Sequence, residues 1–188
     1  MIFQFKIALL DVGVPVWRRV QVNSESTFLE LHEVIQVSFD WYDSHLHNFS
    51  IRKSNGEPVQ NISIEPDNDY QGPNSDSGWG QFSSSIKKLG EDETLDKWFK
   101  KEKDRIIYTY DFGDDWEHEI VLEKIVKPDP KTHYPICLKA KNDAPEENSR
   151  GDLIDGDSFL INPDAKEILQ EINGLLGEGF SPSKLDSF

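Results

Sequence analysis

From Ile2 to Leu10 the chain is mostly apolar. After a break at Asp11-Val12-Gly13-Val14-Pro15, the run Val16 to Val22 sets Val16, Arg18, Val20 and Val22 against Trp17, Arg19 and Gln21. Alternation of this kind predicts two strands. The period then changes. Phe28, Leu31, Ile35 and Phe39 recur at helical intervals, and Thr27 and Glu30 stand at capping-box spacing, which predicts a helix over 27–39. His32 falls inside it. Beyond Asp40-Trp41-Tyr42-Asp43, the segment His45 to Ile51 alternates again, with His45, His47 and Phe49 on one face. Thr94 is placed to cap a short helix that buries Leu95, Trp98 and Phe99. Asn162 as N-cap, Pro163 in the first turn, and Ile168, Leu169, Ile172, Leu175 and Leu176 predict a final helix near 163–176, closed by Gly177 and Gly179.

The densest pattern is IIYTYDFGDDWEHEIVLE, residues 106–123. It predicts a hairpin turning at Gly113-Asp114-Asp115. Tyr108, Tyr110 and Phe112 then share one face, with Trp116, His118, Ile120 and Leu122 on the same side of the partner strand. A three-residue turn sets Phe112 opposite Trp116, Tyr110 opposite His118 and Tyr108 opposite Ile120. It also sets Asp111 opposite Glu117, a repulsive pair unless a cation, a donor or solvent intervenes. Gly113 suits a positive-φ turn position.

Strands, one helix, more strands and a last helix predict an α+β protein with a mostly antiparallel sheet. A length of 188 residues suits one well-cored domain, 1–188, with polar loops near 66–80 and 142–158. Hydrophobic residues are only 36 %, so eleven Phe and five Trp must supply much of the core. The net charge of −15 changes the picture of possible partners. Such a surface repels phosphate backbones, so direct binding to duplex nucleic acid is not expected, whereas cationic partners or metal ions are accommodated. One cysteine, Cys137, precludes an intramolecular disulfide framework and suits a cytoplasmic setting. The N-terminal segment reads as a strand, neither a signal peptide nor a membrane span.

Several segments resemble the Ri-plasmid open-reading-frame-three-like family of bacterial and archaeal proteins. They are VPVWRRV at 14–20, TFLELHEVIQVSFDW at 27–41, HLHNF at 45–49, YTYDFGDDWEHEIVLE at 108–123 and GEGFSPSKLDSF at 177–188. The resemblance implies a compact α+β fold of uncharacterised activity, with some members labelled accessory proteins of transposable elements. Relatives tend to carry a Cys-Pro-Pro-Glu-Asp run and a Gly-Gly pair after the cysteine region. Here Ala144-Pro145-Glu146-Glu147-Asn148 and Ser149-Arg150-Gly151 stand there, so a two-cysteine site is not expected.

Two functions fit the residues. The first is a cytoplasmic accessory or interaction domain that meets a protein partner through the aromatic hairpin, with Tyr110, Asp111, Asp114, Trp116 and His118 as its surface. The second is a metal-dependent hydrolase in which His45, His47, His118, Asp111 and Asp114 hold a divalent ion. Against it, HExxH spacing and the G-x-S-x-G and GxxxxGK[ST] motifs are absent. The sequence DLIDGD at 152–157 lacks EF-hand spacing and reads as a solvated loop. His118 in the core and Cys137 as a small buried hydrophobe are the structural alternatives. Arg18 and Arg19 either hold an anion or pair with acids of the chain itself.

Overall fold

A computed structural model describes residues 1–53, 60–66, 86–155 and 161–177, with backbone alone at 52–53, 60 and 154–155. Its frame is one eight-stranded sheet. In chain order the elements are β1 (Ile2–Leu9), β2 (Val16–Asn23), α1 (Phe28–Phe39), β3 (His47–Lys53), β4 (Gln60–Ile64) and β5 (Lys87–Leu89), then α2 (Leu95–Trp98), β6 (Arg105–Tyr110), β7 (Trp116–Val126), β8 (Ile136–Lys141), a 3-10 turn (Arg150–Asp155) and α3 (Ala165–Leu175). The strand order is β5-β4-β3-β6-β7-β1-β2-β8, antiparallel throughout except for the parallel pair β4–β5. The α+β reading therefore holds, and one core cluster runs from Phe3 to Leu176.

The helix α1 starts as its sequence requires. The Thr27 hydroxyl accepts the Glu30 N–H at 3.2 Å, and the Glu30 carboxylate accepts the Thr27 N–H at 2.9 Å. Two otherwise orphaned donors are satisfied together. Phe28 packs edge-on against Phe49 of β3, and Phe39 against His118 of β7, so the helix lies across the central strands. Buried side chains of this size are each worth roughly 1.5–3 kcal/mol. Asp40, at a φ of 57°, ends the helix.

Arg18 is 2 % exposed, and its guanidinium donates to four carbonyls, those of Ser38, Trp17, Lys141 and Asn142. Those bonds fasten β2 to the end of α1 and to the end of β8. Burial lowers its pKa to about 10, so it stays charged at neutral pH. Arg19 makes a two-pronged bond to Glu123, which holds that carboxyl below its usual range. Both arginines are thus taken up within the chain, and neither stands ready for an anion. The edge strand β8 is covered by α3. Asn173 accepts from the Cys137 N–H at 2.8 Å and donates to the Cys137 carbonyl at 2.9 Å, as a neighbouring strand would. Burial pushes the Cys137 thiol up to about 11, which fits an inert core residue.

The hairpin register differs from the expected one. Tyr110 pairs with Trp116, Tyr108 with His118, Ile106 with Ile120 and Thr109 with Glu117. The turn spans five residues, 111–115, because Asp111 and Asp115 both take left-handed backbone, at φ of 53° and 56°. Asp111 and Glu117 are consequently not cross-strand partners. Gly113 is favoured by a close approach, not by positive φ: a Cβ there would lie 3.1 Å from the Asp111 carboxylate, which accepts the Gly113 N–H and would have to give way slightly. Phe112 leaves the core face and is exposed.

Two boundaries and one cap also differ from expectation. The strand β3 begins at His47 because Asp43 is left-handed and the Tyr110 hydroxyl takes the Ser44 and His45 amides. Thr94 caps nothing with its side chain and donates to Asp96 instead. The last helix starts at Ala165 with Asp164 as N-cap, whose carboxylate accepts the Lys166 and Glu167 N–H groups, while Asn162 braces Asp164. Its Leu175 is exposed. Part of the polar stretch 142–158 forms the 3-10 turn at 150–155. Residues 67–80, 156–158 and 178–188 lie outside the described residues. Among the described residues no helix is long and apolar enough to cross a membrane.

His118 is wholly buried between Phe39, Trp41 and Tyr108. Its Nδ1 meets the Trp116 carbonyl at 3.2 Å, and its Nε2 has no partner. Burial lowers its pKa from 6.5 to about 3. The unfolded chain therefore binds a proton that the folded chain refuses. Stability from this group is complete above pH 6.5 and is lost as pH falls from there toward 3, by at most about 1.4 kcal/mol per unit. Urea titrations at a series of pH values should show a shallower acid decline for His118→Phe than for wild type. At neutral pH, Thr27→Ala should lower unfolding free energy by about 1 kcal/mol, read from the urea midpoint.

Candidate functional site

The last inward residues of β6 are Tyr108 and Tyr110, both fully buried. A hydroxyl buried without a partner costs roughly 1–3 kcal/mol, so both must be satisfied. The Tyr110 hydroxyl donates to Glu147 and accepts the N–H of Ser44 at 2.8 Å and of His45 at 3.3 Å. Glu147 accepts in turn from the Tyr42 N–H and the Ser44 hydroxyl. Burial and the Glu147 charge together push the Tyr110 pKa up, so the phenol remains a donor. Trp41 stacks on Tyr110, 5.2 Å between centroids, and donates through Nε1 to the Pro145 carbonyl. The Asp111 N–H reaches the Leu46 carbonyl at 2.9 Å. Arg150 lies over Trp116 at 4.9 Å, and its N–H meets Asp114. The loops around 40–46, 111–115 and 143–150 are thereby sewn into one end of the sheet.

Three large apolar side chains project from these joined loops: Tyr42 is 78 % exposed, Phe112 55 % and Leu46 51 %. Asp40, Asp115 and Glu146 are exposed in the same loops, and Asp114 is half-buried.

Inward of this end lies a polar cluster that the helix pattern conceals. His32 of α1 and His47 of β3 stack face to face, 3.6 Å between centroids and 4° from parallel. His32 Nδ1 meets the Tyr108 hydroxyl at 2.8 Å, and its Nε2 meets the Asp43 carboxylate at 2.9 Å. Gln36, one turn on, donates to the Tyr108 hydroxyl at 3.0 Å, and its carbonyl accepts the Asp43 N–H at 3.0 Å. His47 Nε2 meets Glu91. Burial lowers the His32 pKa, against the opposing pull of Asp43. The histidines are 1 % and 5 % exposed, whereas the Asp43 side chain is 39 % exposed. Among the described residues, His32, Asp43 and His47 form the one group whose donor atoms all lie within 4.8 Å of one another.

The expected site residues land differently from their sequence grouping. Of the proposed hairpin surface, Tyr110, Trp116 and His118 are fully buried and Asp111 is 8 % exposed, leaving Asp114 alone partly open. The inward face of a strand hairpin is core here, and the turn presents Phe112 instead. Of the proposed ligands, His45 and Asp111 do approach, at 3.5 Å, and His45 also meets Asn148 at 2.9 Å. His47 faces His32 and Glu91, Asp114 is engaged with Arg150, and His118 is sealed among aromatic rings. The five are not brought together as one cluster. His32, Gln36, Asp43 and Glu91 do not stand out as site residues in the sequence pattern. A signal exists for two of them: His32 and Gln36 are polar residues one turn apart on the buried side of α1. Asp43 and Glu91 carry no such local mark.

The chain is similar to other proteins of undetermined activity. It is 31 % identical over 155 residues to an uncharacterized protein, y4hQ, of Sinorhizobium fredii, covering 80 % of this chain and 67 % of that one. The crystal structure of MM3350, a protein of unknown function from Methanosarcina mazei Go1, superposes with a TM-score of 0.64 at 28 % identity, over 96 % of this chain and 91 % of the other. The model of the family described as plasmid pRiA4b ORF-3-like protein matches residues 1–187, and this chain belongs to that family.

Proposed function

We propose that the protein is a non-catalytic accessory domain of the cytoplasm, one unit over 1–188, that docks a basic, partly apolar segment of a protein partner. The observation that carries this reading is the exposure of Tyr42, Leu46 and Phe112 on loops tied to one another at one end of the sheet. Large apolar side chains grouped at a surface and rimmed by polar residues favour protein contact. The rim here is acidic, and the whole chain carries −15, so charge complementarity selects a cationic segment. The supporting loops are held to one another and to the sheet by hydrogen bonds, which lowers the entropy lost on docking. The plasmid in the family's description fits an accessory role on a mobile element.

The test uses a fluorescent peptide alternating arginine with leucine and tryptophan, added to the purified full chain. Tyr42→Ser/Phe112→Ser should weaken binding by at least about tenfold, since anchors of this kind are worth more than 1 kcal/mol each. The melting temperature should stay within a degree or so of wild type, because both side chains are already solvated. Added salt should weaken the wild-type complex. Equal binding by wild type and the double variant would overturn the reading.

A further inference from the structure

We propose that His32, His47 and Asp43 bind a divalent first-row transition metal ion, zinc being the probe of choice, in a site independent of the docking surface. Two imidazole nitrogens and a carboxylate oxygen are a donor set such ions accept, with a further position left for water or a fourth ligand. In the tetrahedral arrangement, two ligands each about 2.1 Å from one zinc ion stand about 3.4 Å apart. The three donor atoms already lie within 4.8 Å of one another, so the set closes with an approach of about 1.4 Å or less and a tilt of the two rings.

A ring nitrogen binds an ion in the plane of its own ring, so the two parallel rings must tilt apart for both lone pairs to meet one ion. Parallel imidazoles 3.6 Å apart and almost wholly buried do not tolerate two positive charges, so at least one ring is neutral and offers a lone pair. Neutral imidazole is the form that binds metal. Each ring also has an outer partner that fixes its orientation. Tyr108 meets His32 Nδ1, and Glu91 meets His47 Nε2, a carboxylate–histidine arrangement of the kind that supports bound metals. This leaves His32 Nε2 on its Asp43 side for the ion, with one His47 nitrogen inside the same group.

A proton count gives the exchange on binding. Gln36 donates to the Tyr108 oxygen, and the contacts around His32 are all met when Tyr108 donates to Nδ1 and the His32 Nε2 proton goes to Asp43. When the ion takes Nε2, the imidazole proton moves to Nδ1 and donates to Tyr108, which turns its own proton aside. Gln36 then serves both sides of the site, since its carbonyl also holds the Asp43 N–H. The divalent charge offsets Asp43 and Glu91, which both act on His32. The half-exposed Asp43 carboxylate gives the ion a way in from solvent.

Calorimetric titration of the chelator-treated full chain with zinc chloride tests the assignment. Wild type should take up one ion per chain and melt at higher temperature with zinc present, by ligand linkage. Asp43→Asn removes a half-exposed charge with little effect on folding and should weaken zinc binding at least tenfold. His47→Gln should abolish it, and Glu91→Gln should weaken it about tenfold as an outer partner. Tyr42→Ser/Phe112→Ser should bind zinc as wild type does. Absence of saturable zinc binding by the wild type would overturn the proposal. So would unchanged affinity in Asp43→Asn, whose circular dichroism confirms folding and which decides the matter even if His47→Gln fails to fold.

Discussion

Two tyrosine hydroxyls at consecutive inward positions of β6 impose the main constraint on the end of the sheet where three loops meet. Tyr108 and Tyr110 deliver large apolar rings to the core, and each brings an oxygen that the core cannot leave unpaired. Each oxygen is met by residues from other parts of the chain. Tyr108 recruits His32 and Gln36 from α1, while Tyr110 recruits the backbone after Asp43 and the Glu147 carboxylate. The placement of Asp43 and the joining of three loops are consequences of satisfying those two oxygens.

That constraint also explains why a buried polar cluster and an exposed apolar surface stand back to back. The segment 40–46 has its backbone amides turned inward, toward Gln36, Glu147 and Tyr110. With those amides and Trp41 directed inward, Tyr42 and Leu46 are left on the outside. Asp111 does the same for Phe112: its left-handed backbone ends β6, its N–H reaches Leu46, and the following residue is turned out. The exposed apolar side chains and the histidine cluster thus share scaffolding without sharing side chains. Loss of Tyr42 or Phe112 and loss of Asp43 are separable events for that reason.

The charge of the chain is handled in two ways. Inside, the buried cation Arg18 is surrounded by carbonyl oxygens, and one of them belongs to the last turn of α1, where the helix dipole favours a positive group. His118 avoids the problem by remaining neutral at the cost of an unpaired nitrogen. Outside, acids predominate, and the Arg19–Glu123 pair reaches from β2 across β1 to β7. An ion of opposite sign at Asp43 would be in keeping with the surface field.

Local patterning was sufficient for much of the fold. The alternation of β1, β2 and β7, the capping box of α1 and the apolar stripe of α3 each depend on residues within a few positions of one another, and physical chemistry at that range is readable from the sequence. The register of the central hairpin was not, because two aspartates adopted left-handed backbone and lengthened the turn from three residues to five. The site was legible only in fragments. His47 stood out on its strand, and His32 and Gln36 broke an otherwise apolar helix face, but nothing local joined them to Asp43 or to Glu91, which is 44 positions from His47. Their meeting depends on how α1 crosses the sheet and on which buried hydroxyls needed partners. Short-range pattern determined the elements, whereas tertiary packing decided which polar groups would share one buried space.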